Sequence, residues 1–377
     1  MRLLTGAALL LALSACDGVG AQGRPAPPET APVTTIRESA PTAVRSDLLI
    51  TGNTFWGRDV RRPFARLSEL HRDRYDAWIS GLECPTVPGV HPSRYEEEVL
   101  LKFNCDPAYL HRASRWFTAF SLANNHTGNQ GRAGVEETRR QLARHGIASF
   151  GDPDPQRLNR VCSVIALPVE VTRDDGTTGH GHLPLGLCGF HGVFEIPPVE
   201  AVDVMRELAT HVPVLALPHS GLEYVAREVG IKVAFYRSLI DAGADAVLGD
   251  HAHWVQNSEA WHGRPIVYSM GNFIFDQHDD AEVTRSAAIH VRLDLRDDAA
   301  DWLSLGERCL HVPNCAKLVS RAGLPKPHVR FGFGIEGTTD VDGPTHAASA
   351  AQTAGILGRL DWKDTVAGLR PPYRALP

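Results

Sequence analysis

Residues 244–256 read ADAVLGDHAHWVQ, a short apolar run that stops at Gly249 and then delivers Asp250, His251 and His253. In an extended segment residues i and i+2 point the same way, so both imidazoles would converge on one point where a strand runs out. An isolated H-x-H is also found in surface loops, and the rest of the chain must decide. Four more stretches have the same form. DLLIT (47–51) runs into GNTFWGRD, DAWISG (76–81) into LECP, FTAFSLA (117–123) into NNHTGN, and VPVLALP (212–218) into HSGLEY. A single Asn or His past a strand is usually a cap or turn former. Five such deliveries point instead to strand ends that hold a common site, where layered α/β folds carry their chemistry.

Between the apolar runs lie helical segments. GRAGVEETRRQLARHG (131–146) places Val135, Thr138 and Leu142 on one face, with Gly146 as a C-terminal stop. IKVAFYRSLIDAGA (231–244) does the same with Val233, Tyr236 and Ile240, ending near Gly243. IASFG (147–151) and PIVYSMG (265–271) add further strand-length runs. Alternating strand and helix with short links predicts an α/β layered fold.

The N-terminal MRLLTGAALLLALSAC has one Arg, a short apolar run and small residues before Cys16, which reads as an export signal ending in a lipobox-like LSAC. Lipid on Cys16 would anchor the protein to a membrane outside the cytoplasm. Residues 21–44, rich in Pro, Ala and Thr, cannot bury enough apolar surface to fold and read as a tether. The expected boundaries are a signal peptide over 1–15, the lipidated Cys and tether over 16–45, a folded domain over 46–296, and a packed C-terminal extension over 297–377. Six cysteines follow Cys16, an even number that suits disulfides in an exported chain. Local pairing predicts Cys84–Cys105, Cys162–Cys188 and Cys309–Cys315, the middle pair brought together by a hairpin across TRDDGTTGHGH (172–182).

The net charge of −6, with no basic cluster interleaved with aromatics, offers no footprint for nucleic acid. PHSGLE lacks the elbow of a serine hydrolase, and no glycine-rich phosphate loop follows a strand.

The ordered set GNTFWGR, GLECP, LANNHTGNQGRAGVEETRRQLARHGI, LPHSGLEY, GADAVLGDHAHWVQ and IVYSMGNFIFDQ, from Asp47 to Gln277, resembles the capsule-biosynthesis CapA family of the calcineurin-like metallophosphoesterase superfamily. The resemblance implies an α/β fold of four layers, αββα, with two mixed sheets packed face to face and helices outside. It implies one or two divalent ions of the Mn, Fe or Zn class. Their ligands would be Glu83 as a bridging carboxylate, Asn125, His219, His251, His253 and Asn53. His126 would act on the transferred group. Beside the resemblance, the fork of Arg58 suits a phosphate or carboxylate, and Asn124 is a further candidate substrate contact. Implied partners are an anionic envelope polymer such as poly-γ-glutamate or a phosphoester, and membrane subunits of a polymer synthase.

The sequence departs from the family pattern at three positions. Asn53 stands where a carboxylate is common, Asp250 where His is frequent, and Ala252 where Pro is usual. An amide oxygen is a neutral, weaker donor, so one metal position should be weakened and about one ion held tightly. Asp59 is a substitute ligand if its loop folds back, although Arg58 could equally hold it as an ion pair. Trp56 and Trp254 are expected to pack their loops, and Asn272 to support a ligand or a turn. Two functions follow from the resemblance: a metal-dependent hydrolase or transferase of the cell envelope, or a non-catalytic polymer-binding accessory with a decayed site.

Overall fold

The computed structural model describes residues 39–377 apart from Asp59, Arg61, Val229 and Asp298. Cys16, most of the tether and Asp59 therefore lie outside the described residues. The strands are β1 (Pro41–Thr54), β2 (Ala77–Leu82), β3 (Ala119–Ser121), β4 (Ala148–Phe150), β5 (Cys162–Arg173), β6 (Thr178–Gly192), β7 (Val214–Ser220) and β8 (Ala246–Leu248). They continue with β9 (Ser258–Trp261), β10 (Arg264–Val267), β11 (Asn272–Ile274), β12 (Arg285–Leu295), β13 (Arg330–Thr339), β14 (His346–Ala347) and β15 (Tyr373–Ala375).

The pivot is β1. Its first half pairs antiparallel with β5, its middle lies between β12 and β2, and its end pairs parallel with β2 and β11. One wing runs outward through β2, β3 and β4 on one side and β12 and β13 on the other; the second runs β5-β6-β7-β8-β10-β9. Both wings mix parallel and antiparallel pairs and meet through β1. β1 also starts earlier than its apolar run, inside the expected tether. Pro41 to Arg45 pair with Arg173 to Glu170, and Val44 is buried at 2% exposure, so the backbone pairing of a neighbouring strand overrides the Pro/Ala/Thr composition.

The period-two side-chain alternation sorts the first wing into two faces. Leu48, Ile50, Ala77, Ile79 and Ala119 enter the large core shared with β5 to β8. Leu49, Trp78 and Phe120 point the other way, into an aromatic core with Trp56, Phe64, Phe117 and Phe273. Helix Gly131–Arg144 covers that side, sending Leu142 into the aromatic core, while helices Val199–Ala209 and Ile231–Asp241 bury Met205 and Leu239 against the second wing. The order is helix, sheet, sheet, helix. Gly146, at φ +71°, lies just past the first helix, where a left-handed residue closes it.

All three disulfides form the local pairs expected: Cys84–Cys105, Cys162–Cys188 and Cys309–Cys315. Cys162 and Cys188 are direct partners in the β5–β6 register, as a hairpin requires. The segment expected as an extension supplies β13 to β15 to the main sheet, and residues 39–377 form one compact unit. Tyr373 Oη donates to Asp245 Oδ1 at 2.7 Å and Ser258 Oγ to Leu360 O at 2.7 Å, fastening that segment to the second wing. No helix among the described residues is long and apolar enough to cross a membrane.

Candidate metal centre

Because β1, β2, β3, β7 and β8 run the same way across the paired strands, their carboxyl ends gather on one edge. Glu83 follows β2, its N–H donating to Thr54 O at 2.9 Å. The residue is 1% exposed, and neither carboxylate oxygen has a hydrogen-bond partner. A buried, unpaired carboxylate is costly unless something positive meets it.

His219 lies near the end of β7, its Nδ1 2.7 Å from Asp250 Oδ1. The tautomer with the proton on Nδ1 donates to that carboxylate and leaves Nε2 as a lone pair, a common second contact of metal-binding histidines. Around Nε2 sit Asn125 Oδ1 at 2.8 Å, His251 Nδ1 at 3.1 Å and Glu83 Oε1 at 3.8 Å. Glu83, His219 and His251 offer ligand atoms within 4.8 Å of one another. Asp250 reaches His219 because Gly81 has no side chain; a Cβ there would lie 2.5 Å from Asp250 Oδ2.

His251 and His253 reach the centre by a route different from the extended one expected. Their φ values are +91° and +59°, in the left-handed region that non-glycine residues seldom adopt. The loop turns tightly here, and its backbone is held by His251 N–H donating to Asn53 Oδ1 at 3.3 Å. His253 Nδ1 donates to Asn272 Oδ1 at 2.8 Å, and Asn53 Nδ2 donates to the same oxygen at 3.3 Å. Asn272 and Asn53 are register partners between β11 and β1.

The charge balance is one-sided. Burial, with Asp250 and Glu223 adding to it, pushes Glu83 well above the usual carboxylate range. Burial raises Asp250 to about 8 against the pull of Lys232 and His253. Burial also lowers His219 far below its usual value, lowers His251, and takes His253 to about 4. Acids that resist ionising beside imidazoles that resist protonation form a pocket short of positive charge, which a divalent cation would relieve. The donor set of carboxylate, imidazole and amide oxygen fits an ion of the Mn, Fe or Zn class.

The remaining sequence-derived candidates are placed differently. His126 is partly buried beside the centre, its ring centroid 4.5 Å from Phe103 and its Nδ1 3.3 Å from Asn129 Oδ1. Burial holds it at about 4, so the ring is neutral at pH 7. Asn124 builds its own loop: Oδ1 accepts from His126 N, Thr127 N and Thr127 Oγ1, while Nδ2 donates to Leu82 O at 2.7 Å. Its amide is thus engaged in closing its own loop. Arg58 stacks over Phe103 and donates to Asp276 Oδ1 at 2.6 Å, so its fork faces a carboxylate of the chain itself. Trp56 is buried, its Nε1 donating to Asp106 O at 3.1 Å, and packs its loop as expected.

One residue escaped the sequence reading. Glu223 Oε1 lies 3.9 Å from both His251 Nε2 and His253 Nε2. It sits in a turn, four residues past His219, where attention to the first polar residue after each apolar run does not reach.

An α/β fold with a buried carboxylate, histidines and an asparagine at its strand ends defines a protein with a candidate metal centre. The chain belongs to the bacterial capsule synthesis protein family PGA_cap, whose profile matches residues 32–166 and 199–277. It is similar to the PGA biosynthesis protein CapA of Bacillus subtilis (strain 168), 26% identical over 43% of each chain. It is also similar to the capsule biosynthesis protein CapA of Bacillus anthracis, 28% identical over 56% of this chain and 50% of that one. The chain thus spans about half the length of the curated relatives it matches. Among solved structures, TT1561 of Thermus thermophilus aligns over 64% of this chain and 93% of its own, at 14% identity and a TM-score of 0.32.

Proposed function

We propose that the protein is a metal-dependent hydrolase of a capsule-polymer system, acting on a phosphoester or an anionic polymer such as poly-γ-glutamate, and held at the cell envelope through lipid on Cys16. The observation that carries the reading is Glu83, buried with both carboxylate oxygens unpartnered and Oε1 3.8 Å from His219 Nε2. Glu83, His219, His251 and Asn125 would hold a divalent ion, whose chemistry is to polarise a substrate oxygen and acidify water.

The chain's own groups have separate tasks in this reading. Asp250 fixes the His219 ring and its proton. Asn53 ties the 251–253 turn through the His251 N–H, and Asn272 orients His253. His126, neutral at pH 7, would accept a proton at the edge of the centre. The similarity to the two CapA relatives supports the polymer context, and envelope placement follows from the LSAC stretch.

Metal analysis of the purified protein, paired with phosphomonoester and phosphodiester assays, tests the reading. Glu83→Gln should abolish both bound metal and turnover while the far-ultraviolet circular dichroism stays unchanged. Equal metal content in the variant would sink it. Cys16→Ser, followed by cell fractionation, should release the protein from membranes.

A further inference from the structure

The edge that carries the candidate centre also carries most of the bare apolar surface. Of the twelve large hydrophobic side chains exposed among the described residues, ten fall in three segments. Residues 95–101 include Val99 and Leu101, residues 194–199 include Phe194 and Ile196, and residues 222–231 include Leu222 and Ile231. The segments follow β2, β6 and β7, strands whose carboxyl ends share this edge. Single exposed hydrophobics are ordinary on a protein surface, but their gathering on one edge marks an interaction surface.

Each segment is tied to the centre. The Leu101 backbone hydrogen-bonds the His126 ring. The Phe194 ring meets His191 with centroids 5.5 Å apart, and His191 in turn lies 6.5 Å from His219. Tyr224 stacks on His253 with centroids 5.4 Å apart, and its N–H donates to Ala252 O at 2.9 Å. The three segments thus border one centre, with Phe194 79% and Leu222 67% exposed beside it.

The chain before β1 and the charge of the surface identify the partner. Lipid on Cys16 would hold the domain through residues 17–40, whose 24 residues reach about 80 Å when extended. β1 has 14 residues and spans about 45 Å from that attachment to the edge bearing the centre. The reach is enough for the far edge to turn to the bilayer. Residues 94–102, 193–200 and 221–231 together carry seven glutamates against three bases, so the surface offers nothing to anionic headgroups. What remains is apolar insertion, and side chains carried on three separate loops suit a surface that conforms to them, as the interfacial zone of a bilayer does.

We infer that this edge docks on a lipid bilayer, inserting Phe194, Leu222 and the apolar side chains of residues 95–101, so that the candidate centre faces the headgroups. The choice of partner rests on the proposed lipid at Cys16 and is independent of metal. Without that lipid the contact is weak and reversible, so cell fractionation still releases Cys16→Ser.

Co-sedimentation with phosphatidylcholine vesicles tests the docking, using the mature chain from residue 16 with Cys16→Ser so that neither signal peptide nor covalent lipid contributes. Vesicle binding is expected, and added phosphatidylglycerol should not strengthen it. Combining Phe194→Ser with Leu222→Ser should lower the partition coefficient at least about tenfold. Leu310→Ser should leave it unchanged, because Leu310, exposed too, lines a cavity with Thr118 and Ala148 at the amino ends of β3 and β4. Melting curves check that each variant keeps its fold. Glu83→Gln should bind vesicles as its parent does, which separates this inference from the metal reading, and a failure of the Cys16 reading does not alter a measurement made without the lipid. No vesicle binding, binding to anionic vesicles alone, or equal partition in the double variant would overturn it. So would a parent that ignores vesicles but elutes as a dimer split by the double variant, since the surface would then belong to a second copy.

Discussion

At the residue scale, the two ends of the Asn53 amide meet opposite demands: Oδ1 accepts from His251 N–H, while Nδ2 donates to Asn272 Oδ1 and lies 3.4 Å from His253 Nδ1. Asn53→Asp keeps the first and turns the second into an oxygen–oxygen contact. The metal-free variant should therefore be less stable, on the order of 1–3 kcal/mol, while the added charge tightens the weaker ion. Melting curves with and without Mn²⁺ check this, and an unchanged metal affinity would show that the amide is no handicap. Asp340, just past β13, is a second residue with a distinct chemical signature. Both its oxygens are buried without a hydrogen-bond partner, and burial raises it from 3.8 to about 7. The folded state then binds a proton that the unfolded state releases, so stability is fullest below about pH 4 and falls as pH rises toward 7. Asp340→Asn should remove that fall and stabilise the protein at pH 8, by about 2 kcal/mol; urea midpoints at pH 5 and 8 measure it. Of the candidate centre, Glu83, Asn125, His219, His251 and His253 were legible because each follows an apolar run closely. The place of Glu223 near His251 and His253 was not, since a turn hides which way its side chain faces, and the loop-closing bonds of Asn124 were not either, because an amide closing its own loop looks the same in sequence as one offered to a substrate.

At the element scale, the disulfides act on two different parts of the fold. Cys162–Cys188 staples a β hairpin whose register already pairs the two residues. Replacing both with Ala should cost about 2–4 kcal/mol and leave metal affinity alone. Cys84–Cys105 instead ties down the loop that begins with Glu83, and Cys105 Sγ accepts from Trp56 N–H at 3.2 Å. Removing that pair should cost a similar amount and also weaken metal binding, because the carboxylate loses its anchored neighbour. Denaturation curves and Mn²⁺ titrations on the two double variants distinguish the effects; equal metal affinity in both would detach the disulfide from the centre. Helix Gly131–Arg144 and the strand cores were readable from periodicity, since each has a single buried face. The start of β1 was not, because what recruits Pro41–Arg45 into the sheet is β5, more than a hundred residues away. The outward turn at His251 and His253 escaped for the same kind of reason: their positive φ is imposed by contacts to Asn53 and Tyr224 rather than by local preference.

At the scale of the whole molecule, the two wings share β1, so neither can be cut away with its hydrogen bonding intact. The layer order was legible from the alternation of elements, but this sharing was not, since pairings such as Ser46 with Leu293 leave no local mark. A chain ending before Arg285 would leave β1 from Val44 to Ile50 without its β12 partner, an open apolar edge. Such a truncation should be recovered in aggregates, and soluble, cooperatively melting protein from it would contradict the role given to β1. The same pairing sets a clock on synthesis. The first strand of the described chain to leave the ribosome must wait for almost the last quarter to appear before it can be fully bonded, and contacts so far apart in sequence close slowly. Until then the newborn chain carries an unpaired strand, and it is in this interval that a chaperone would have its longest opportunity to hold it.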